Sequence, residues 1–248
     1  MRRAVKAVGD GVGWHRAPAA YSGVLRPHYR RNKTTGRTPK ALPPTRRRAL
    51  ATITPILHST RRSTPNAMTS SVYDIAVNRI DGSPATLADY RGKVLLVVNV
   101  ASQCGLTPQY EGLEKLYRAK HEQGLEVLGF PANDFGAQEP GSDAEISEFC
   151  TLKFDVHFPL FSKISVLGPA KHPLYASLVA AQPAAIGEGP FRERLKGYGI
   201  APTDKTEVLW NFEKFLVGRD GKVLARFAPD TSADDPRLLE AIVAALAA

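Results

Sequence analysis

Only two cysteines occur in the 248 residues, Cys104 and Cys150, and neither sits in a Cys-x-x-Cys pair or in a cluster with metal-ligand spacing. That speaks against a disulfide-stapled secreted scaffold and against a four-ligand zinc site. The six histidines are scattered, so no metal and no other cofactor is expected. Long apolar runs are missing too: none approaches the roughly 20 residues that a membrane-spanning helix needs. Acidic residues are missing from one end. Residues 1–67 contain 12 arginines and 3 lysines but a single acid, Asp10.

This last shortage divides the chain. The remainder, residues 68–248, carries 18 basic and 23 acidic side chains, so the overall charge of +9 belongs to the first segment and not to the body. Seven prolines interrupt residues 1–67, and arginine clusters occur at Arg30-Arg31, Arg46-Arg47-Arg48 and Arg61-Arg62. An acid-poor, arginine-rich leader of this kind fits an organelle transit peptide, a nucleic-acid-binding tail or a disordered extension ahead of a natural start at Met68. Residues 68–248 are read as the folded domain, for which no nucleic-acid partner and no membrane span are expected. With no apolar signal segment after Met68, the cytoplasm is the expected compartment, or an organelle if residues 1–67 are a transit peptide.

The body is organised around Lys93 to Tyr110, KVLLVVNVASQCGLTPQY. Val94 to Val100 is an apolar, β-branched run suited to a strand buried on both faces. Polar and small residues then surround Cys104, and Thr107-Pro108 predicts a helix start. A cysteine at a strand-to-helix turn meets free N–H groups and a helix dipole, which favour thiolate. It equally suits a small buried hydrophobe.

Elsewhere, Val72 to Ile80 and Ala85 to Leu87 around Asp81-Gly82 predict an N-terminal β-hairpin. Helical spacing of Tyr110, Leu113, Leu116 and Tyr117 predicts a helix to about Glu122, ended by Gly124. Leu125 to Phe130 reads as a second buried strand. Ser142 and Glu145 form a capping box for a helix to Phe149 or Cys150. Pro159 to Ile164 reads as a short strand, and His172-Pro173 opens a helix to about Val179–Ala181. Residues 182–205 read as a long connection with room for one helical turn. Val208 to Val217 and Lys222 to Phe227 read as a hairpin about Arg219-Asp220-Gly221, and Asp234 to Ala247 as a closing helix. The order predicts an α/β fold of thioredoxin-like type: a central mixed sheet flanked by helices, with the N-terminal hairpin and a loop insertion.

Three blocks carry a resemblance. NVASQCGLT (Asn99 to Thr107), LGFPANDFGAQEPG (Leu128 to Gly141) and WNFEKFLVGRDG (Trp210 to Gly221) resemble the signature blocks of the glutathione peroxidase family in order and spacing, and FCT (Phe149 to Thr151), FPLFSKI (Phe158 to Ile164) and HPLY (His172 to Tyr175) are similar to its bacterial, selenium-free branch. The resemblance implies a thioredoxin fold and reduction of hydrogen peroxide and organic hydroperoxides, a response to oxidative stress. It puts the catalytic tetrad on Cys104, Gln138, Trp210 and Asn211, with cysteine where many vertebrate members have selenocysteine. It also implies a candidate resolving cysteine at Cys150, and thioredoxin or glutathione as reductant. Two positions depart from the pattern: Ala132 and Asp134 stand where many members have cysteine and glutamine. A redox sensor that passes oxidation to a partner protein would use the same two cysteines.

Overall fold

The computed structural model describes residues 71–248; the basic leader lies outside the described residues. Two small strands, β1 (Ala76–Asn78) and β2 (Pro84–Thr86), pair antiparallel as a hairpin apart from the main sheet. The main sheet has the order β4-β3-β5-β6, from β3 (Val94–Val100), β4 (Leu125–Pro131), β5 (Lys214–Val217) and β6 (Val223–Phe227). β3 pairs parallel with β4 and antiparallel with β5, so the sheet is mixed. The helices are α1 (Gln109–Lys120), α2 (Asp143–Phe154), α3 (Pro173–Ala181), α4 (Glu188–Gly197) and α5 (Pro236–Ala247).

Every residue of β3 is buried, and the alternation of its side chains feeds two cores. Val94, Leu96, Val98 and Val100 join Tyr110 and Leu113 of α1, Ile146 and Cys150 of α2, and Leu238 and Ile242 of α5. Leu95 and Val97 face the other way, towards Val77, Leu87 and the Leu174, Tyr175 and Leu178 stripe of α3. The β3-α1-β4 crossover leaves the Cys104 turn at the carboxyl end of β3, the edge where open α/β sheets place their sites. At the opposite end of β5, Gly221 adopts φ +82°, and a Cβ there would come within 2.6 Å of the Tyr73 ring. Glycine alone fits, and the Tyr73 hydroxyl then donates to the Arg219 carbonyl at 2.9 Å.

Several elements differ from the expectation. Val72–Asp74 is a 3-10 turn, because the Ser71 side chain caps it, and the first strand is confined to three residues. Pro159 to Ile164 forms isolated bridges, Leu160 to Gly129 and Phe161 to Arg79, which stitch the hairpin to the sheet edge. α2 has the predicted capping box but runs on to Phe154, ending where Asp155 turns left-handed at φ 51°. Residues 182–205 hold a ten-residue helix, α4, where one turn was expected; Phe191 and Leu195 give it a buried face that the glycines and prolines around it obscure. The strand predicted from Val208 begins only at Lys214, because the chain bends and turns at residues 210–212.

Candidate active site

Cys104 lies just past β3, 8% exposed, in a turn organised by the neighbouring threonine. The Thr107 hydroxyl accepts the Cys104 N–H at 3.0 Å and donates to the Ala101 carbonyl at 2.8 Å, while the Thr107 N–H donates to the Cys104 carbonyl at 3.0 Å. Thr107 therefore ties the cysteine turn and does not cap α1, whose first turn has no side-chain cap. The turn turns the Leu106 N–H onto the Cys104 sulfur at 3.4 Å.

Two other strand ends supply the remaining groups. The loop after β4 places Gln138 beside the turn, where its carbonyl accepts the Gln103 N–H at 3.0 Å. The turn before β5 places Trp210 and Asn211, whose indole and amide lower the pKa of the Cys104 thiol without forming a hydrogen bond to its sulfur. Asn211 is fully buried and donates its Nδ2 to the Gln138 Oε1 at 3.0 Å, so three of the four predicted residues meet through it. The Trp210 ring packs on Phe135, centroids 5.2 Å apart. The Trp210–Asn211 turn is pinned from β3 at both sides: Asn99 Nδ2 donates to the Trp210 carbonyl at 3.0 Å, and the Phe212 N–H donates to the Asn99 carbonyl at 2.6 Å. Phe212 itself sits at φ 67°, a conformation that a bulky residue adopts only where its surroundings impose it. Asn99 was legible as a polar residue beside the cysteine, but its work on the turn depends on a contact 111 residues away.

Charge at the sulfur is opposite to the expectation from the dipole. Burial pushes the Cys104 thiol above its ordinary range, and the Leu106 N–H, the Asn211 amide and the Trp210 indole offset that only in part. The helix that was to lower it begins at Gln109, five residues beyond, so the nearest free N–H comes from the turn. The donors are neutral, and they favour negative charge on sulfur without offering a proton.

Cys150 lies within α2, not at its end, and is fully buried. Burial pushes its thiol up to about 11; the Tyr110 hydroxyl lowers it and the negative charge of Glu139 raises it further. The Tyr110 hydroxyl and the Cys150 thiol influence one another, but the hydroxyl makes no hydrogen bond. Both cysteines are free thiols in the same core. Between the Cys104 turn and the first turns of α2 lies a cleft of about 400 Å³, walled by Ser102, Gln103, Glu139, Glu145 and Phe149. The Glu139 carboxylate at its floor accepts the Ser102 hydroxyl at 3.1 Å and is held above its usual range by burial. Of the two departures from the family pattern, Ala132 is buried beside β3, and the Asp134 carboxylate accepts Ser165 Oγ at 2.7 Å and the Val166 N–H at 2.8 Å. Asp134 thus ties the loop carrying Gln138 to the segment before α3.

Among the described residues no group of histidine, cysteine and carboxylate side chains is arranged to hold a metal ion, and no helix is long and apolar enough to cross a membrane.

A mixed sheet between helical layers, with one cysteine at the carboxyl end of its central parallel strand, defines a thioredoxin-like protein. Comparison with known proteins narrows the class. The glutathione peroxidase family model matches residues 72–179. Over 182 residues, 73% of this chain, it is 53% identical to the whole of the thioredoxin/glutathione peroxidase BtuE of Escherichia coli. It is 48% identical to 91% of the hydroperoxy fatty acid reductase gpx1 of a Synechocystis strain, across 67% of this chain. The crystal structure of Trgpx in apo form superposes with a TM-score of 0.52 at 37% identity, over 72% of this chain and 97% of that one; T. cruzi GPX1 does so with 0.53 at 31%, over 71% and 97%. The chain belongs to the glutathione peroxidase family and is an oxidoreductase of the peroxidase type.

Proposed function

We propose that Cys104 is the peroxidatic thiol of a selenium-free peroxidase for hydrogen peroxide and organic hydroperoxides, and that Cys150 resolves its oxidised form. The observation that carries this is one buried sulfur that accepts the Leu106 N–H and whose charge the Asn211 amide and the Trp210 indole favour, with Gln138 hydrogen-bonded to Asn211. Neutral donors held in place around a largely buried sulfur stabilise the charge that develops as it attacks, with less reorganisation than solvent would need.

The Cys104 sulfur attacks one peroxide oxygen and the O–O bond breaks. The thiol proton ends on the departing alkoxide, so water or an alcohol leaves and Cys104 becomes a sulfenic acid. The Cys150 thiol then displaces the sulfenic hydroxyl as water, forming a Cys104–Cys150 disulfide. A dithiol reductant such as thioredoxin reduces that bond, taking the disulfide itself. Because Cys150 is buried in mid-helix, α2 must unwind locally before the sulfurs reach the geometry of a disulfide, with Cα atoms within about 7 Å. The names of two relatives support the reading: one includes thioredoxin and glutathione, the other a fatty acid hydroperoxide.

Steady-state peroxide consumption by the full chain, with thioredoxin and its reductase or glutathione and its reductase, tests the proposal. We expect turnover with thioredoxin that Cys104→Ser and Cys150→Ser each abolish, and a loss of about a hundredfold in the peroxide step for Asn211→Ala. Turnover with glutathione that survives Cys150→Ser but not Cys104→Ser would replace the two-cysteine cycle by a one-cysteine cycle. Peroxide turnover unaffected by Cys104→Ser would refute the assignment.

A further inference from the structure

Glu213 and Arg226 form an ion pair with no exposure of either side chain. Arg226 donates Nε to Glu213 Oε1, one Nη to the carbonyls of Gln182 at 3.2 Å and Pro183 at 3.0 Å, and the other Nη to the carbonyl of Glu207. One guanidinium therefore clamps both ends of the inserted segment 182–207. Glu213 uses its second oxygen to accept the Leu209 N–H, closing the turn that presents Trp210 and Asn211. The segment reaches the site a second way: Phe191 and Leu195 of α4 form a small core with Leu209, against which Trp210, Ile200 and Leu106 pack. Leu106 is the residue whose N–H meets the Cys104 sulfur.

We infer that the Arg226–Glu213 pair is a positioning unit for Cys104, holding the inserted segment and the Trp210–Asn211 turn in one arrangement so that the donors stand around the sulfur before a peroxide arrives. The inference rests on Cys104 being the reacting thiol. A buried ion pair contributes little net stability, since apolar side chains of similar size do as well. Its planar fork and two-oxygen partner do what apolar packing does not: they bind three carbonyls and one N–H in fixed directions.

The test uses the full chain carrying Cys150→Ser, which leaves Cys104 as the single thiol, with and without Glu213→Gln or Arg226→Lys. The readouts are the pH midpoint of Cys104 alkylation by iodoacetamide and the rate of Cys104 oxidation by hydrogen peroxide, with folding followed by near-ultraviolet circular dichroism. We expect the midpoint to rise by about one pH unit as the donors lose their order. The oxidation rate at neutral pH should fall by about tenfold or more. Folded variants that melt earlier with midpoint and rate unchanged would make the pair purely structural and overturn the inference. Should a single substitution prevent folding, Glu213→Gln with Arg226→Met removes both charges of the pair together and carries the same test; a folded double variant with the parent's midpoint and rate overturns it equally. The underlying reading fails separately, if the parent with its ion pair intact shows no peroxide-dependent oxidation of Cys104.

Discussion

The two thiols share a core but differ in what burial does to them. Cys104 retains 8% exposure, and the Leu106 N–H, the Asn211 amide and the Trp210 indole lower its thiol, whereas Cys150 has no exposure and is pushed up to about 11. Alkylation of the native protein at pH 8 should therefore label Cys104 first, leaving Cys150 unmodified until the chain unfolds or the pH approaches 11; equal labelling at pH 8, read by peptide mass spectrometry, would contradict this. The same shift has a consequence for stability. An exposed thiol titrates near 9, so in the unfolded chain Cys150 loses its proton first. Its contribution is complete below about pH 9 and is lost as pH rises through 11, because the folded state then binds the extra proton. Cys150→Ala should lack that part of the alkaline decline in denaturant unfolding. Lys214 illustrates the opposite effect: it is buried against Gln109 Oε1 and the Pro229 carbonyl, and burial lowers its amine to about 7.

At the scale of elements, α2 combines two opposed properties. Its N-terminus is firmly built: Ser142 accepts the Glu145 N–H, Glu145 Oε2 accepts the Ser142 N–H at 2.7 Å, and Lys163 donates its N–H to Asp143 at 2.9 Å. Yet the resolving role proposed for Cys150 has this helix open around a buried, mid-helix thiol. Ser142→Ala should cost about 1 kcal/mol of helix stability. That raises the opened population by about fivefold, and with it the rate at which peroxide-treated protein forms the internal disulfide. A lowered melting temperature with an unchanged rate would mean that the bond forms without opening at this end. The turn before β5 is the other decisive element. Val208 to Phe212 has the apolar pattern of a strand, and periodicity assigns it as one. Contacts from Asn99 and Glu213 bend it instead, which brings Trp210 and Asn211 to the sulfur.

For the whole molecule, charge is the property most easily misread. The overall +9 comes from residues 1–67, and the body is net negative. Binding of the full chain to a polyanion such as duplex DNA should weaken steeply with salt and vanish when the chain is started at Met68, while peroxide turnover is unchanged. Turnover lost with the leader would give that segment a part in catalysis.

Whatever depends on neighbours in the chain is legible in the sequence. The β3 run, the crossover to β4, the Ser142 capping box, the closing helix and the three family blocks are local patterns, and each names its residues directly. The blocks also singled out Cys104, Gln138, Trp210 and Asn211; the structure joins Asn211 to Gln138 by a hydrogen bond and places Trp210 and Asn211 where they lower the Cys104 thiol. The sequence by itself thus determined the scaffold and the cast of side chains. Only the tertiary structure decided how they meet: that Thr107 binds the cysteine turn instead of capping α1, that Cys150 lies in mid-helix, that residues 210–212 bend, and that Glu213 finds Arg226. These depend on contacts between residues far apart in the chain and on burial, which outweighs a distant helix dipole at Cys104; neither quantity is a function of local sequence.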